Sequence, residues 1–175
     1  KHVAKRITKY YRRESEVIYP PVELDRFKIS DEVEDYYLVV STLTPFKGID
    51  LAVQAFKDMG WKLKIAGTGK DLGRLKEVTG NASNIEFLGF VSDEEVAKLM
   101  SKCKGFVFCG EEDFGITPVE VMASGRPVLA YGKAGLLETV VDGKTGMFFE
   151  EQSVESLKDA LVKFDKWSEN GFVAQ

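Results

Sequence analysis

The chain has 175 residues, 44% of them hydrophobic and 30% charged, with a formal net charge of −4. That size suits one domain with its own core, and the composition excludes a disordered or membrane-spanning chain, since no apolar run nears the ~20 residues a bilayer span requires. The acidic balance also excludes a dedicated nucleic-acid binder, which would be basic.

Lys1–Arg13 is basic, with Val3, Ala4, Ile7 and Tyr10 on one helical stripe, and it lacks the apolar centre of a signal peptide. Its cationic face reads as solvated rather than docked on phosphate or membrane. Pro20-Pro21 then enforces an extended stretch, so residues 1–30 read as a connector entering the domain. From residue 36 strands and helices alternate. Tyr37–Ser41 is a buried strand; Ile49, Ala52, Val53 and Phe56 mark one face of a helix; Leu63 and Ile65 form a second strand that Gly67-Thr68-Gly69 ends. A short helix over 71–78 and a strand over 85–88 follow. Ser92-Asp93-Glu94-Glu95 is a capping box opening a helix with Val96, Leu99, Met100 and Cys103 inward. Phe106–Cys109 is a strand without a polar face. After it come a helix over 117–124 closed by Gly125, a strand over 128–131, a short helix over 136–141, a strand over 147–149 and a last helix bearing Leu157, Ala160, Leu161 and Phe164. Strands apolar on both sides, alternating with helices, predict a doubly wound α/β domain whose parallel sheet is covered on both faces.

Two cysteines, Cys103 and Cys109, are too few for a disulfide framework and read as buried free thiols, one at a helix end and one on a strand. With His2 the only histidine, no Cys/His metal site can be assembled. This usage fits a reducing, cytoplasmic setting.

In an open α/β sheet ligands bind beyond the carboxyl ends of the strands, so the loops there carry the chemistry. The richest is Gly110-Glu111-Glu112-Asp113-Phe114-Gly115-Ile116-Thr117-Pro118-Val119-Glu120. Thr117 suits an N-cap, Pro118 the first helical position, and Glu120 the capping-box position. A helix opening here presents unpaired N–H groups and about half a positive charge, a site for an anion. Acids flanking an anion site make sense when the phosphate carries hydroxyl-rich groups, because carboxylates accept hydrogen bonds from the diols of a sugar or ribose. For Glu120 the competing reading is capping alone, and for Glu112 a solvated loop acid. Lys47, in Thr44-Pro45-Phe46-Lys47-Gly48, stands at a helix N-terminus, where a cation is out of place unless a diphosphate binds there; a plain surface lysine is the alternative. Gly67-Thr68-Gly69 is not a dinucleotide fingerprint, since Leu72 replaces the third glycine and no Walker lysine-serine pair follows; it reads as a tight turn.

Glu112 and Glu120, with seven residues between them, resemble the paired-glutamate motif of the retaining family-4 glycosyltransferases, and Met122–Val128 continues in that family's form. Val17–Val22, Pro45–Asp50, Phe87–Phe90 and Asp142–Gly146 are similar to the family's other motifs, in order and across nearly the whole chain. The resemblance implies a GT-B enzyme, two Rossmann-like domains around a cleft, of which this chain would supply the connector (1–30) from an N-terminal acceptor domain and the nucleotide-sugar-binding domain (31–175). Gly110–Ile116 and Tyr131-Gly132 resemble a mannosyltransferase subgroup that uses GDP-mannose, with a glycan or lipid-linked acceptor. Carried over, Glu112 would be the catalytic residue, against the donor sugar near the reacting centre, and Glu120 would hold the ribose hydroxyls. The backbone N–H groups of Phe114, Gly115, Ile116 and Thr117 would meet sugar and diphosphate, Lys47 would neutralise the diphosphate, and Gly89-Phe90 would border the base. The resemblance implies no metal and no cofactor beyond the donor itself, and a cytoplasmic protein able to sit at the inner membrane surface. One position departs: Thr42 stands where the family commonly has arginine, and lacks its fork of donors, which Lys70 or Lys133 would have to replace. A non-catalytic α/β binding module is the other reading, and a nicotinamide oxidoreductase is disfavoured by the defective glycine pattern.

Overall fold

The computed structural model describes residues 1–170 and 172, so the last positions of the expected 31–175 domain, 171 and 173–175, lie outside the described residues. Six strands, β1 (Tyr37–Val40), β2 (Leu63–Ala66), β3 (Ile85–Gly89), β4 (Gly105–Phe108), β5 (Val128–Tyr131) and β6 (Gly146–Phe149), form one sheet. All pairings are parallel and the order is β3-β2-β1-β4-β5-β6. Helices α1 (His2–Tyr11), α2 (Ile49–Met59), α3 (Leu72–Thr79), α4 (Asp93–Lys102), α5 (Ile116–Ala123), α6 (Leu136–Thr139) and α7 (Val154–Asn170) complete it.

Alternation along each strand divides the core in two. Tyr37, Val39, Leu63, Ile65, Val107, Leu129 and Tyr131 point to one face, where α2, α3 and α7 cover them through Phe56, Leu75, Leu161 and Phe164. Leu38, Ala66, Phe106, Phe108, Val128 and Ala130 point to the other, under Met100 of α4, Val121 of α5 and Leu136 of α6. Three helices on each face make the domain doubly wound, as the periodicity requires. Element ends shift by a residue or two: β4 runs from Gly105 to Phe108, leaving Cys109 just past it, and α6 stops at Thr139.

Local chemistry sets the helix starts. Ser92 Oγ accepts from the Glu95 N–H at 3.3 Å, and three acids in the first turn of α4 complement its dipole. The Gly67-Thr68-Gly69 turn is tied to the loop after β1, with Leu43 N–H donating to the Thr68 carbonyl at 2.9 Å and Asp71 N–H to the Leu43 carbonyl at 3.2 Å. It is a backbone brace.

The segment ahead of β1 is uneven. Helix α1 buries none of its residues, whereas Phe27 is buried in the core beneath α4. Arg126, itself buried, donates from Nε to the Ser101 carbonyl and from Nη2 to the carbonyls of Ser30 and Glu32, clamping residues 30–32 to the end of α4.

Both cysteines are buried and unpaired, Cys103 at the end of α4 and Cys109 after β4. Burial pushes each thiol up to about 12, so at neutral pH neither supplies thiolate. The folded protein is expected to react with no equivalent of a thiol reagent such as DTNB at pH 8, and with two after denaturation; labelling in the native state would show that one cysteine is reached by solvent.

Candidate functional site

The strand order changes direction between β1 and β4, because β2 and β3 continue one way and β5 and β6 the other. The two strands pair only through Tyr37–Gly105 and Leu38–Phe106, then part toward their carboxyl ends. A narrow crevice of about 10 Å³ lies there, lined by Val40, Ser41, Lys47, Val107, Phe108 and Cys109. Such a switch point is where this class of sheet takes its ligands. It joins the loop after β1 to the loop after β4, separated by some 60 residues of chain.

Lys47 closes a 3₁₀ turn, Pro45–Lys47, directly before α2. From there its ammonium donates to Glu112 Oε1, so the two residues that the motifs mark separately form one ion pair across the crevice. Both side chains are partly exposed, Lys47 at 22% and Glu112 at 30%, so a ligand can reach either. Thr44 Oγ1, three residues earlier, is buried and has no hydrogen-bond partner among the described residues. The other two acids diverge: Asp113 meets Arg6 of α1 at 3.1 Å on the surface, and Glu111 points into solvent. An exposed pair such as Arg6–Asp113 contributes little to stability.

Helix α5 begins two residues earlier than the sequence suggests, and this corrects the expected cap. Its N-cap is Gly115, at φ 82° and ψ 72°, and no side chain caps it. Thr117 is the second helical residue, Pro118 the third, and Glu120 lies past any capping-box position. The cause is the left-handed backbone that glycine adopts without strain, which lets the chain turn into the helix at once. Pro118 is tolerated there because N–H groups in a first turn have no intrahelical partner. Among the described residues the N–H groups of Phe114, Gly115, Ile116 and Thr117 find no acceptor in the chain, so the helix opens with its donors unused.

Glu120, released from capping, has its side chain 15% exposed and accepts from Arg26 Nη2 at 3.0 Å. Gly89 ends β3, the edge strand, at the same carboxyl face, and Phe90 beyond it is 84% exposed. Thr42 is exposed. Lys70 and Lys133 are exposed as well, and among the described residues neither has an ion-pair partner.

Residues 22–169 match the family described as glycosyl transferases group 1. The chain belongs to that family. An uncharacterised glycosyltransferase of Methanocaldococcus jannaschii, MJ1178, is 36% identical over 132 residues, 74% of this chain and 38% of the relative. The alpha-1,3/1,6-mannosyltransferase ALG2 of Dictyostelium discoideum is 29% identical over 83% of this chain and 38% of its own length. A GDP-mannose-dependent phosphatidylinositol monomannoside mannosyltransferase of Mycobacterium tuberculosis is 28% identical over 85% and 46%. This group 1 glycosyltransferase chain thus spans between a third and a half of these relatives. Sucrose-phosphate synthase of Thermosynechococcus elongatus superposes at TM-score 0.83, with 21% identity, over 95% of this chain and 48% of that one. Anabaena Alr3699/HepE, crystallised with UDP and glucose, superposes at 0.71, with 22% identity, over 89% and 50%. At such identity the likeness shows the fold, the Rossmann-like α/β architecture of GT-B glycosyltransferases.

The structure also brings to this candidate site contacts that the sequence did not disclose. Arg26 makes one. The loop after β5 makes another: Ala134 sits at φ 52°, strained for a residue with a side chain, and Gly135 N–H donates to the Glu112 carbonyl at 2.8 Å. A Cβ on Gly135 would stand 2.3 Å from the Asp113 carbonyl oxygen and 2.5 Å from Phe114 N, so this loop presses on the acidic one backbone to backbone. Gly135→Ala is therefore expected to lower stability by about 2 kcal/mol, a fall in Tm of about 6 °C, as the acidic loop shifts. An unchanged melting curve would show that the two loops are loosely apposed. Tyr19, ahead of β1, lies with its ring centre 5.6 Å from that of Phe114, the planes tilted by 38°, and donates to Glu138 at 2.9 Å, which fastens Tyr19 beside the same loop. A run of small residues, Gly132 to Gly135 around Lys133, was the one sequence signal of this contact; Arg26 left none.

Proposed function

We propose that this chain is the donor-binding part of a retaining, family-4 type glycosyltransferase that transfers mannose from GDP-mannose to a glycan or lipid-linked acceptor. The observation that carries the reading is the meeting of Lys47 and Glu112 over the switch-point crevice, beside the unused N–H groups that open α5. The named mannosyltransferase relatives support the sugar, and the GDP-mannose-dependent one supports the donor.

In this reading the diphosphate lies across the start of α5, against the N–H groups of Phe114, Gly115, Ile116 and Thr117, with Lys47 turning to it from Glu112. Glu112, freed of the lysine, lies against the sugar. Glu120 accepts from the ribose hydroxyls, and Gly89-Phe90 borders the base. Transfer breaks the bond between the anomeric carbon and the phosphate oxygen, whose electron pair leaves with the nucleoside diphosphate, while the oxygen of the acceptor hydroxyl bonds to that carbon and its proton passes to the departing phosphate oxygen. Donors already aimed at the leaving oxygen are each worth about 3 kcal/mol in the transition state. Lys70 and Lys133 are the cations able to stand in for the arginine that Thr42 replaces. The acceptor would be held by a domain outside these residues, so this chain alone is expected to turn over little. The reading includes no metal, and nucleotide affinity is expected to be the same with EDTA.

Thermal melts of the chain with GDP, UDP, ADP and their sugar conjugates test it, because a ligand that binds only the folded state raises Tm in step with its concentration above Kd. GDP and GDP-mannose are expected to stabilise most. Stabilisation by UDP or ADP instead would change the base; stabilisation by none, in a folded sample, would remove the donor site. A second reading, a binding module without catalysis, is favoured by Thr42 alone, and predicts donor binding without transfer in the complete protein.

A further inference from the structure

Arg26 lies in a turn that follows Pro20-Pro21, closed by Phe27 N–H donating to the Leu24 carbonyl at 3.0 Å, and is 94 residues from Glu120 in sequence. Its Nη2 donates to Glu120 Oε1 at 3.0 Å and its Nη1 to Asp93 Oδ2 at 2.8 Å. The guanidinium carbon stands 4.9 Å from the centre of the Phe27 ring, and Phe27 is only 7% exposed. A buried ring thus lies beneath the guanidinium, and both tines of its fork are taken by acids on different helices, α5 and α4. A half-exposed ion pair by itself would contribute little. This one differs in lying over a buried ring, in being forked, and in being aimed at the carboxylate one turn inside the helix whose opening N–H groups are unused.

We propose that Arg26 is a positioning residue of the donor site: it holds Glu120 by Oε1 and leaves Oε2 to accept from the vicinal hydroxyls of a ribose. The inference rests on the ribose role of Glu120 given above. A glutamate on a helix has three side-chain torsions to freeze, and a carboxylate already anchored by one oxygen loses less freedom when a ligand arrives. Among the described residues Oε2 of Glu120 has no hydrogen-bond partner. Arg26 also offsets the charge of Glu120, which would otherwise repel a diphosphate at the start of the same helix. Lysine would keep that charge, but as a single point it cannot hold Glu120 and Asp93 together.

The experiment is titration calorimetry of the chain with the nucleoside diphosphate that binds best and with its 2′-deoxy counterpart. The parent is expected to prefer the ribonucleotide by about tenfold, one hydrogen bond to a charged group. In Arg26→Ala the ribonucleotide is expected to bind about tenfold more weakly, with the preference reduced to about twofold or less. Arg26→Lys is expected to recover affinity through charge but not the preference. If Arg26→Ala does not fold, Arg26→Lys and Asp93→Asn carry the comparison, and both are expected to lower the ratio. A parental ratio in all folded variants, with only Tm reduced, would make Arg26 a structural staple; tighter binding in any variant would make it an obstruction. Either overturns the inference while the donor reading stands. A parent that binds no nucleotide, or does not distinguish ribose from deoxyribose, overturns the ribose role and the Arg26 inference together, and does so before any residue is changed.

Discussion

Lys47→Ala is expected to weaken binding of a nucleoside diphosphate by about two orders of magnitude while leaving the corresponding nucleoside nearly unaffected. A charge-assisted contact to phosphate is worth about 2–3 kcal/mol, a factor of roughly 30 to 150 in Kd. The geometry adds a second loss, because Lys47 is the partner of Glu112. Without it a carboxylate stands uncompensated at the rim of the crevice where the diphosphate is proposed to lie, and like charges repel there. The two terms separate in a double-mutant cycle. Lys47→Ala with Glu112→Ala should bind the diphosphate better than Lys47→Ala alone, since the stranded charge is gone. Calorimetry on the four proteins measures this. Additive effects would show that Lys47 and Glu112 act independently, and equal affinity in parent and Lys47→Ala would return the lysine to an ordinary surface residue.

Glu120→Ala is expected to weaken the ribonucleotide by about 30-fold and to abolish the preference for ribose over 2′-deoxyribose, since the hydrogen bonds that the ribose hydroxyls would donate to its charged carboxylate are worth about 2 kcal/mol in sum. Folding should change little. The carboxylate does not cap α5, whose N-cap is Gly115, so the loss of about 1 kcal/mol that a cap would cost is not expected. Calorimetry and a thermal melt on the same preparation distinguish the outcomes. A variant that melts well below the parent yet binds as tightly would make Glu120 a stabilising residue held by Arg26 and nothing more.

The chemistry that the sequence disclosed and the chemistry that it hid differ in range. Tyr37, Val39, Leu63 and Ile65 announce strands because each side chain reports its own burial every second residue. Ile49, Ala52, Val53 and Phe56 announce a helix by the same local rule. Thr117 misled for the opposite reason: residue type favoured it as a cap, but Gly115 had already turned the backbone, and the dihedral freedom of a glycine is not a pattern that can be counted. Nor do the residues near Arg26 hint at Glu120, since an arginine among Asp25 and Lys28 reads as a solvated run.

By itself, then, the sequence determined that this chain alternates strand and helix, buries both faces of a parallel sheet, and carries Glu112, Glu120 and Lys47 in motifs that resemble those of glycosyltransferases. Only the tertiary structure decided that β1 and β4 are neighbours, that Lys47 therefore meets Glu112, and that Arg26 reaches Glu120 from the segment ahead of β1. Periodicity is written in residues a few positions apart, where backbone geometry alone fixes the neighbours. Strand order is set by packing helices on two faces at once, and side chains sixty or ninety residues apart meet only after that packing is complete.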